Sequence, residues 1–171
     1  MNKVIKNINE RLSCREYSNK KVSLKRIMEV AEAGKLAPSA CNNQICNILV
    51  VKSKRYVDLL RKLSIEVRGR DCFYGASTML IVYGPREDKF TVQDASCILE
   101  NMFLAATSLG INSCWINQVD ELFSAPSGEK IRKRFGLTEN DRVVGTCILG
   151  YKKDTTVLTP RKRKDDFIKV L

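Results

Sequence analysis

Helical and extended periodicities alternate along this 171-residue chain, which predicts a fold of the α+β or α/β class in one domain spanning 1–171. Two further observations support that expectation. Apolar residues make up 44% of the chain, enough to bury about 70% of the surface that a chain of this size exposes when unfolded. No internal repeat, low-complexity tract or Gly/Ser linker interrupts it.

The elements follow in order. A first helical stretch ends at Arg11 to Arg15. Ser23 is placed to N-cap a second helix with Leu24, Ile27, Met28 and Ala31 on one face, and this helix stops before Pro38. Asn47 to Val51 reads as a short buried strand. A basic amphipathic helix comes next, with Tyr56, Leu59, Leu60 and Leu63 inward and Arg55, Arg61 and Lys62 outward. Met79 to Tyr83 reads as a second buried strand. From Thr91, with Asp94 as a capping partner, helical spacing of Ala95, Ile98, Leu99, Met102, Phe103, Ala106 and Leu109 runs to a stop at Gly110. That wide apolar face predicts a central helix. Ser113 to Asn117 reads as a strand, Gly128 to Phe135 as a short helix closed by Gly136, and Val143 to Leu149 as a further strand. The tail after Tyr151 is polar and basic.

Composition excludes several classes of chemistry. The chain has no histidine, so it holds no Ser-His-Asp or Cys-His relay, no His-ligated zinc and no imidazole switch. The seven cysteines, at 14, 41, 46, 72, 97, 114 and 147, are odd in number and form no CxxC pair. That argues against a disulfide framework and against a zinc or iron–sulfur cage; small buried thiols in a reducing compartment are expected, with Cys41 and Cys46 left open as redox groups. The longest apolar runs, Ile48 to Val51 and Met79 to Tyr83, fall far short of the ~20 residues of a membrane helix, and the N-terminus lacks a signal-peptide core. A soluble, cytoplasmic protein without a membrane partner is expected.

The formal charge of +11 is uneven: residues 1–26 carry +6, and 52–71 and 151–171 carry +4 each. Such runs are solvated faces, or they serve a phosphate or nucleic acid. Aromatics are sparse at 7%, and the segment 72–150 is slightly acidic, so a nucleic-acid partner is not expected.

Three segments carry candidate chemistry. In Arg11-Leu12-Ser13-Cys14-Arg15 two guanidinium forks flank a hydroxyl, a plausible anion grip as much as an exposed helix end. Ala37-Pro38-Ser39-Ala40-Cys41-Asn42-Asn43-Gln44 is an uncharged loop of hydroxyl and amide groups, suited to a neutral heterocycle and equally to a turn-rich connector. Pro160-Arg161-Lys162-Arg163-Lys164 alone reads as a basic tail.

Taken in this order, with Asn101, Leu104, Ala105, Ala106 and Gly110 on the central helix, then Ser113 to Ile116 and Gly150-Tyr151, these segments resemble the nitroreductase family of flavin enzymes. The resemblance spans nearly the whole chain. It implies a nitroreductase-like α+β fold, with a mixed central sheet flanked by helices, in an intertwined homodimer holding FMN at the subunit interface. It assigns Arg11, Ser13, Arg161 and Arg163 to the phosphate and ribityl end, with Leu12 between them, and Arg15 to the flavin pyrimidine edge. Pro38, Ser39, Ala40, Asn42 and Gln44 would reach the ring from the partner subunit. The backbone at Ile116, Asn117 and Gln118 would lie beside flavin N5 and the carbonyl edge, with Trp115 next to them among the cofactor-binding residues.

The missing histidine then has a reason. The reactive centre is flavin N5, and no catalytic side chain and no metal are expected; NADH or NADPH donates hydride and a nitroaromatic, quinone or similar small acceptor takes the electrons in a ping-pong cycle. The same fold also serves flavin storage and dehalogenation, which stay open as alternatives. Leu12, Ile45-Cys46, Ser77 and Asn117-Gln118 depart from commoner family residues. Only about twenty residues separate Ser53 from Cys72, so an open, promiscuous site is expected.

Overall fold

The computed structural model, which describes residues 1–160 and 162–170, places four strands in the order β1-β2-β4-β3: β1 Asn47–Val51, β2 Thr78–Pro85, β3 Asn112–Ile116 and β4 Asp141–Gly150. Every ladder is antiparallel. The parallel pairing expected of a mixed sheet is confined to one isolated bridge, Ser13 to Ser113. Helices are α1 Lys3–Glu10, α2 Leu24–Lys35, α3 Lys54–Arg68, α4 Thr91–Ser108, α5 Val119–Ser124 and α6 Glu129–Arg134.

Strand alternation divides the core into two layers. Met79 and Ile81 of β2 and Ile148 of β4 face a cluster built with α3, α5 and the N-terminal segment, including Leu60, Leu63, Phe73, Leu122 and Phe123. Leu80, Val82, Cys147 and Leu149 face the opposite cluster, built with α2 and α4 from Ile27, Val30, Leu99, Met102 and Phe103. A bulge between Val82 and Tyr83 shifts the phase, so Val143 and Val144 turn to different layers from those a regular ladder would give. Each fully buried Leu, Ile or Phe stabilises the fold by about 1.5–3 kcal/mol relative to exposure, and this sheet carries them on both faces.

Several sequence expectations change here. Ser23 caps α2 through its side chain, which accepts from Arg26 N. The buried face of α2, however, is Ile27, Val30, Ala31 and Gly34, whereas Leu24 and Met28 are exposed. An ideal Cβ on Gly34 would sit 2.8 Å from Met102 Cγ, so α2 lies close against α4 along that line and rotates Leu24 and Met28 outward. Thr91 and Asp94 form no capping box. The N-cap of α4 is Phe90, the Thr91 hydroxyl donates to Pro85 O (2.6 Å), and Asp94 is used elsewhere. The apolar neighbours of Cys97 suggest burial, but it lies exposed on α4. Helix α5 has no counterpart in the periodicity, because six residues are too few to show one.

All seven thiols are free, and in four of them ionisation is pushed to higher pH. Burial pushes Cys46 up to about 11, with the Asp94 charge adding to it. Burial likewise raises Cys14, Cys114 and Cys147, and lifts the Tyr17 phenol far above its ordinary value. In the unfolded chain these thiols ionise near their ordinary 9.0. The folded state favours their neutral forms, so this contribution to stability is complete below about pH 9 and is lost at higher pH, for Cys46 as pH rises through about 11. Urea midpoints are expected to fall between about pH 8 and about pH 10.5. An unchanged midpoint would contradict the buried, neutral state of these thiols.

Candidate functional site

The N-terminal arginine segment is held against the open edge of the sheet. Cys14 N donates to Ser113 O on β3 (2.9 Å), and Ser18 N donates to Tyr151 O just beyond β4 (2.8 Å). Tyr17 closes the segment by donating to Cys14 O (2.9 Å). Its ring lies so near Gly150 that a Cβ there would fall 2.5 Å from Tyr17 Cδ1. The C-terminal tail is tied to the same segment: Lys153 N donates to Glu16 O (3.4 Å), and the Thr156 hydroxyl donates to Glu16 Oε2 (2.7 Å).

Between these two segments lies a cleft of about 610 Å³ lined by Arg11, Leu12, Ser13 and Arg15 from one side and by Arg163 with Thr155, Thr156 and Thr159 from the other. Among the described residues Arg11, Arg15 and Arg163 have no carboxylate partner. Glu16 also borders the cleft, where its Oε2 accepts from Thr156 and its charge is outnumbered by the three guanidinium groups. The result is a concave surface with three unpaired guanidinium groups beside several hydroxyls, an arrangement suited to a phosphate. Arg161, assigned to the same grip from the sequence, lies outside the described residues.

The amide loop opens elsewhere. Pro38, Ser39 and Gln44 line a second cleft, of about 360 Å³, between α2, α4 and β1, walled by Ala31, Ile48 and Ile98 and containing Asp94. Ala40 and Asn42 belong to the same loop but do not line it. The backbone here is unusual, since Cys41, Asn42 and Gln44 all have left-handed conformations, with φ of 51°, 58° and 51°. Each such non-glycine residue costs of order 1–2 kcal/mol, and such strain collects at functional sites.

Trp115, Asn117 and Gln118 line a third cleft, of about 520 Å³, together with Arg68 and Arg142. Trp115 packs 6.0 Å from Phe103, centroid to centroid, and leans on Gly145, where a Cβ would come within 2.7 Å of the indole. The side chain of Ile116 turns into the core, which leaves only its backbone available beside this cleft. The three groups of predicted site residues therefore occupy three different clefts of one chain.

Sequence reasoning missed the threonines at 155, 156 and 159 and Glu16. The pairing of Thr156 with a residue 140 positions away has no local signal. The basic stretch 52–71 finds part of its account on α3: Lys54 pairs with Asp58, Arg61 with Asp71 (2.8 Å) and Arg68 with Glu121 (2.8 Å). Among the described residues no helix is long and apolar enough to cross a membrane.

Residues 8–151 match the model of the Nitroreductase family. This chain belongs to that family. A nitroreductase family relative from Archaeoglobus fulgidus, provisionally named as an NADH dehydrogenase/NAD(P)H nitroreductase, is 34% identical over 161 residues, covering 90% of this chain and 88% of its own. The structure is similar to that of a nitroreductase with bound FMN from Bacteroides fragilis, with a TM-score of 0.93, 30% identity and full coverage of both chains. It is also similar to a nitroreductase with bound FMN from Desulfitobacterium hafniense, with a TM-score of 0.87 and 30% identity over 100% of this chain and 99% of the other. The nitroreductase-like α+β fold inferred from these short motifs is thus the fold of the molecule.

Proposed function

We propose that the chain is an FMN-dependent oxidoreductase that takes hydride from NADH or NADPH and reduces nitroaromatics, quinones or similar small acceptors. The observation that carries this reading is the cleft in which Arg11, Ser13 and Arg15 meet Arg163 without a competing carboxylate pair. Its donors fit a phosphate monoester: guanidinium forks give charge-assisted hydrogen bonds, and the hydroxyls of Ser13 and the nearby threonines supply neutral ones. Arg161 joins this grip in the proposal. Arg15 serves the pyrimidine edge, where its charge favours the reduced ring.

The neutral loop fits the other end of the cofactor. Pro38, Ser39, Ala40, Asn42 and Gln44 place a hydroxyl and two amides around an uncharged ring, and Trp115 to Gln118 border its reactive edge. The arginine cleft and the amide loop share no lining residue within one chain. That separation supports a homodimer in which each FMN is held by one protomer's arginines and its partner's loop. Val4, Ile5 and Ile8 on α1, exposed in the single chain, offer apolar surface for such an interface. Bound FMN supplies the two-electron chemistry, accepting hydride at N5. The protein's residues hold the ring, leave one face open, and admit nucleotide and acceptor in turn, which gives ping-pong kinetics. The seven free thiols support a cytoplasmic setting, and the single domain 1–171 supplies both halves of the site, which come together between two copies of it. With three α3 cations paired internally, the charge supports a small-molecule enzyme over a nucleic-acid binder.

The test is direct. Purified protein is expected to be yellow, to release FMN on denaturation and to bleach with NADH or NADPH before any acceptor is added. A colourless protein that FMN cannot reconstitute overturns the reading. Flavin reduction that requires the acceptor to be present overturns the ping-pong order.

A further inference from the structure

Asp94, in the first turn of α4, is 5% exposed. Its Oδ1 accepts from Ala40 N (3.0 Å), while Oδ2 is buried with no hydrogen-bond partner among the described residues. A buried carboxylate with one oxygen unsatisfied is costly, and such groups persist where something else requires them.

The loop above it shows what that requirement is. Three left-handed non-glycine residues fall within four positions, Cys41, Asn42 and Gln44. The loop's own bonds close on themselves: Ser39 Oγ accepts from Gln44 N (3.1 Å), and Gln44 Nε2 donates to Asn42 O and Oδ1 (3.4 and 3.3 Å). Asn42 N donates to Ser39 O and Asn43 N to Ala40 O, both at 3.0 Å. Among the described residues the bond from Ala40 N to Asp94 is the one hydrogen bond that ties residues 39–44 to the rest of the fold. A charged acceptor makes this a strong tie. Asp94 lies in the first turn of α4, where an acidic residue is favoured, and that helix has no side-chain cap.

We propose that Asp94 is the positioning residue of this loop: by holding Ala40 N–H it fixes the left-handed backbone from which Ser39, Asn42 and Gln44 present their hydroxyl and amides. The assignment of those groups to a flavin ring rests on the proposed function; the clamp itself does not.

Two readouts separate the two ideas. Cys41 lies exposed in the clamped loop, and Cys97 lies exposed on α4 outside it. In FMN-free protein, alkylation of each is followed by peptide mass spectrometry; in parallel, FMN affinity is read from quenching of flavin fluorescence. Asp94→Ala is expected to speed Cys41 alkylation about tenfold with Cys97 unchanged, and to weaken FMN binding about tenfold, the share of one charged hydrogen bond. Asp94→Asn keeps the acceptor and is expected to restore both within about threefold, without loss of thermal stability because the unpaired charge is gone. Should the alanine variant not fold, Asp94→Leu removes the acceptor while filling the volume and carries the same expectation.

Wild-type Cys41 reactivity and wild-type FMN affinity in the alanine or leucine variant overturn the clamp. An Asp94→Asn variant as impaired as Asp94→Ala overturns it as well, since the hydrogen bond would then not be what matters. Faster Cys41 alkylation in a protein that never binds FMN upholds the clamp and overturns the flavin reading alone.

Discussion

Replacing Arg11 and Arg163 together by alanine is expected to weaken FMN binding by about 100-fold or more. Each guanidinium lines the same cleft from opposite ends of the chain, and neither is paired with a carboxylate among the described residues. A hydrogen bond to a charged group contributes about 1.5–3 kcal/mol, and two of them together give at least two factors of ten at about 1.4 kcal/mol each. Both side chains are partly or fully exposed, so the melting temperature of the FMN-free protein should scarcely move. Raised ionic strength should weaken wild-type binding more than that of the double variant, because the cleft is open to screening. Arg15→Ala makes the contrast. It is expected to lower the rate of flavin reduction as well as affinity, since its charge is assigned to the pyrimidine edge. Affinity of the double variant equal to wild type, by fluorescence titration, would remove the phosphate from this cleft.

Gly128→Ala is expected to cost about 3 kcal/mol of stability, near the upper end for overpacking in a closed site. The backbone at Gly128 is ordinary, with φ −81° and ψ −27°, so alanine meets no conformational objection. The obstacle is steric: its Cβ would lie 1.9 Å from Leu122 O and 2.9 Å from Phe123 Cα. Those contacts are backbone, and the side chains of Leu122 and Phe123 are locked in the core, so α5 has to shift as a unit. Gly136 provides the opposite case. It is left-handed at φ +74° with nothing within 4 Å of an added Cβ, and alanine there is expected to cost only about 1 kcal/mol. Urea midpoints of the two variants at an unchanged slope would show the difference. Equal losses would mean that the connection between α5 and α6 is free to give way.

The helices with clear start and stop signals were legible in the residues: Ser23 caps α2, Gly110 and Gly136 follow α4 and α6 in left-handed conformations, and Gly128 precedes α6. These signals are local, depending on backbone geometry within a few residues. Where an element is shorter than its own period, as in α5, or where a face is chosen by a neighbour, as for Leu24 and Met28 on α2, local pattern is silent or misleading. Asp94 is the sharpest example. Its spacing from Thr91 suggested a helix cap, but the carboxylate serves a loop more than fifty residues away. A capping box and a tertiary clamp use the same residue type, and only the packing of the loop onto α4 separates them.

By itself the chain's composition and order of motifs determined the α+β class, the family, the absence of imidazole chemistry and which short segments are candidates for the site. Each of these depends on residue identity or on spacing along the chain. The tertiary structure decided how those segments meet. It brought the N-terminal arginines to the C-terminal tail in one cleft, kept the amide loop and the Trp115 strand in others, and put a buried carboxylate under a strained turn. Contacts across a hundred residues form because a sheet buried on both faces fixes where its connecting segments emerge, and no local propensity encodes that.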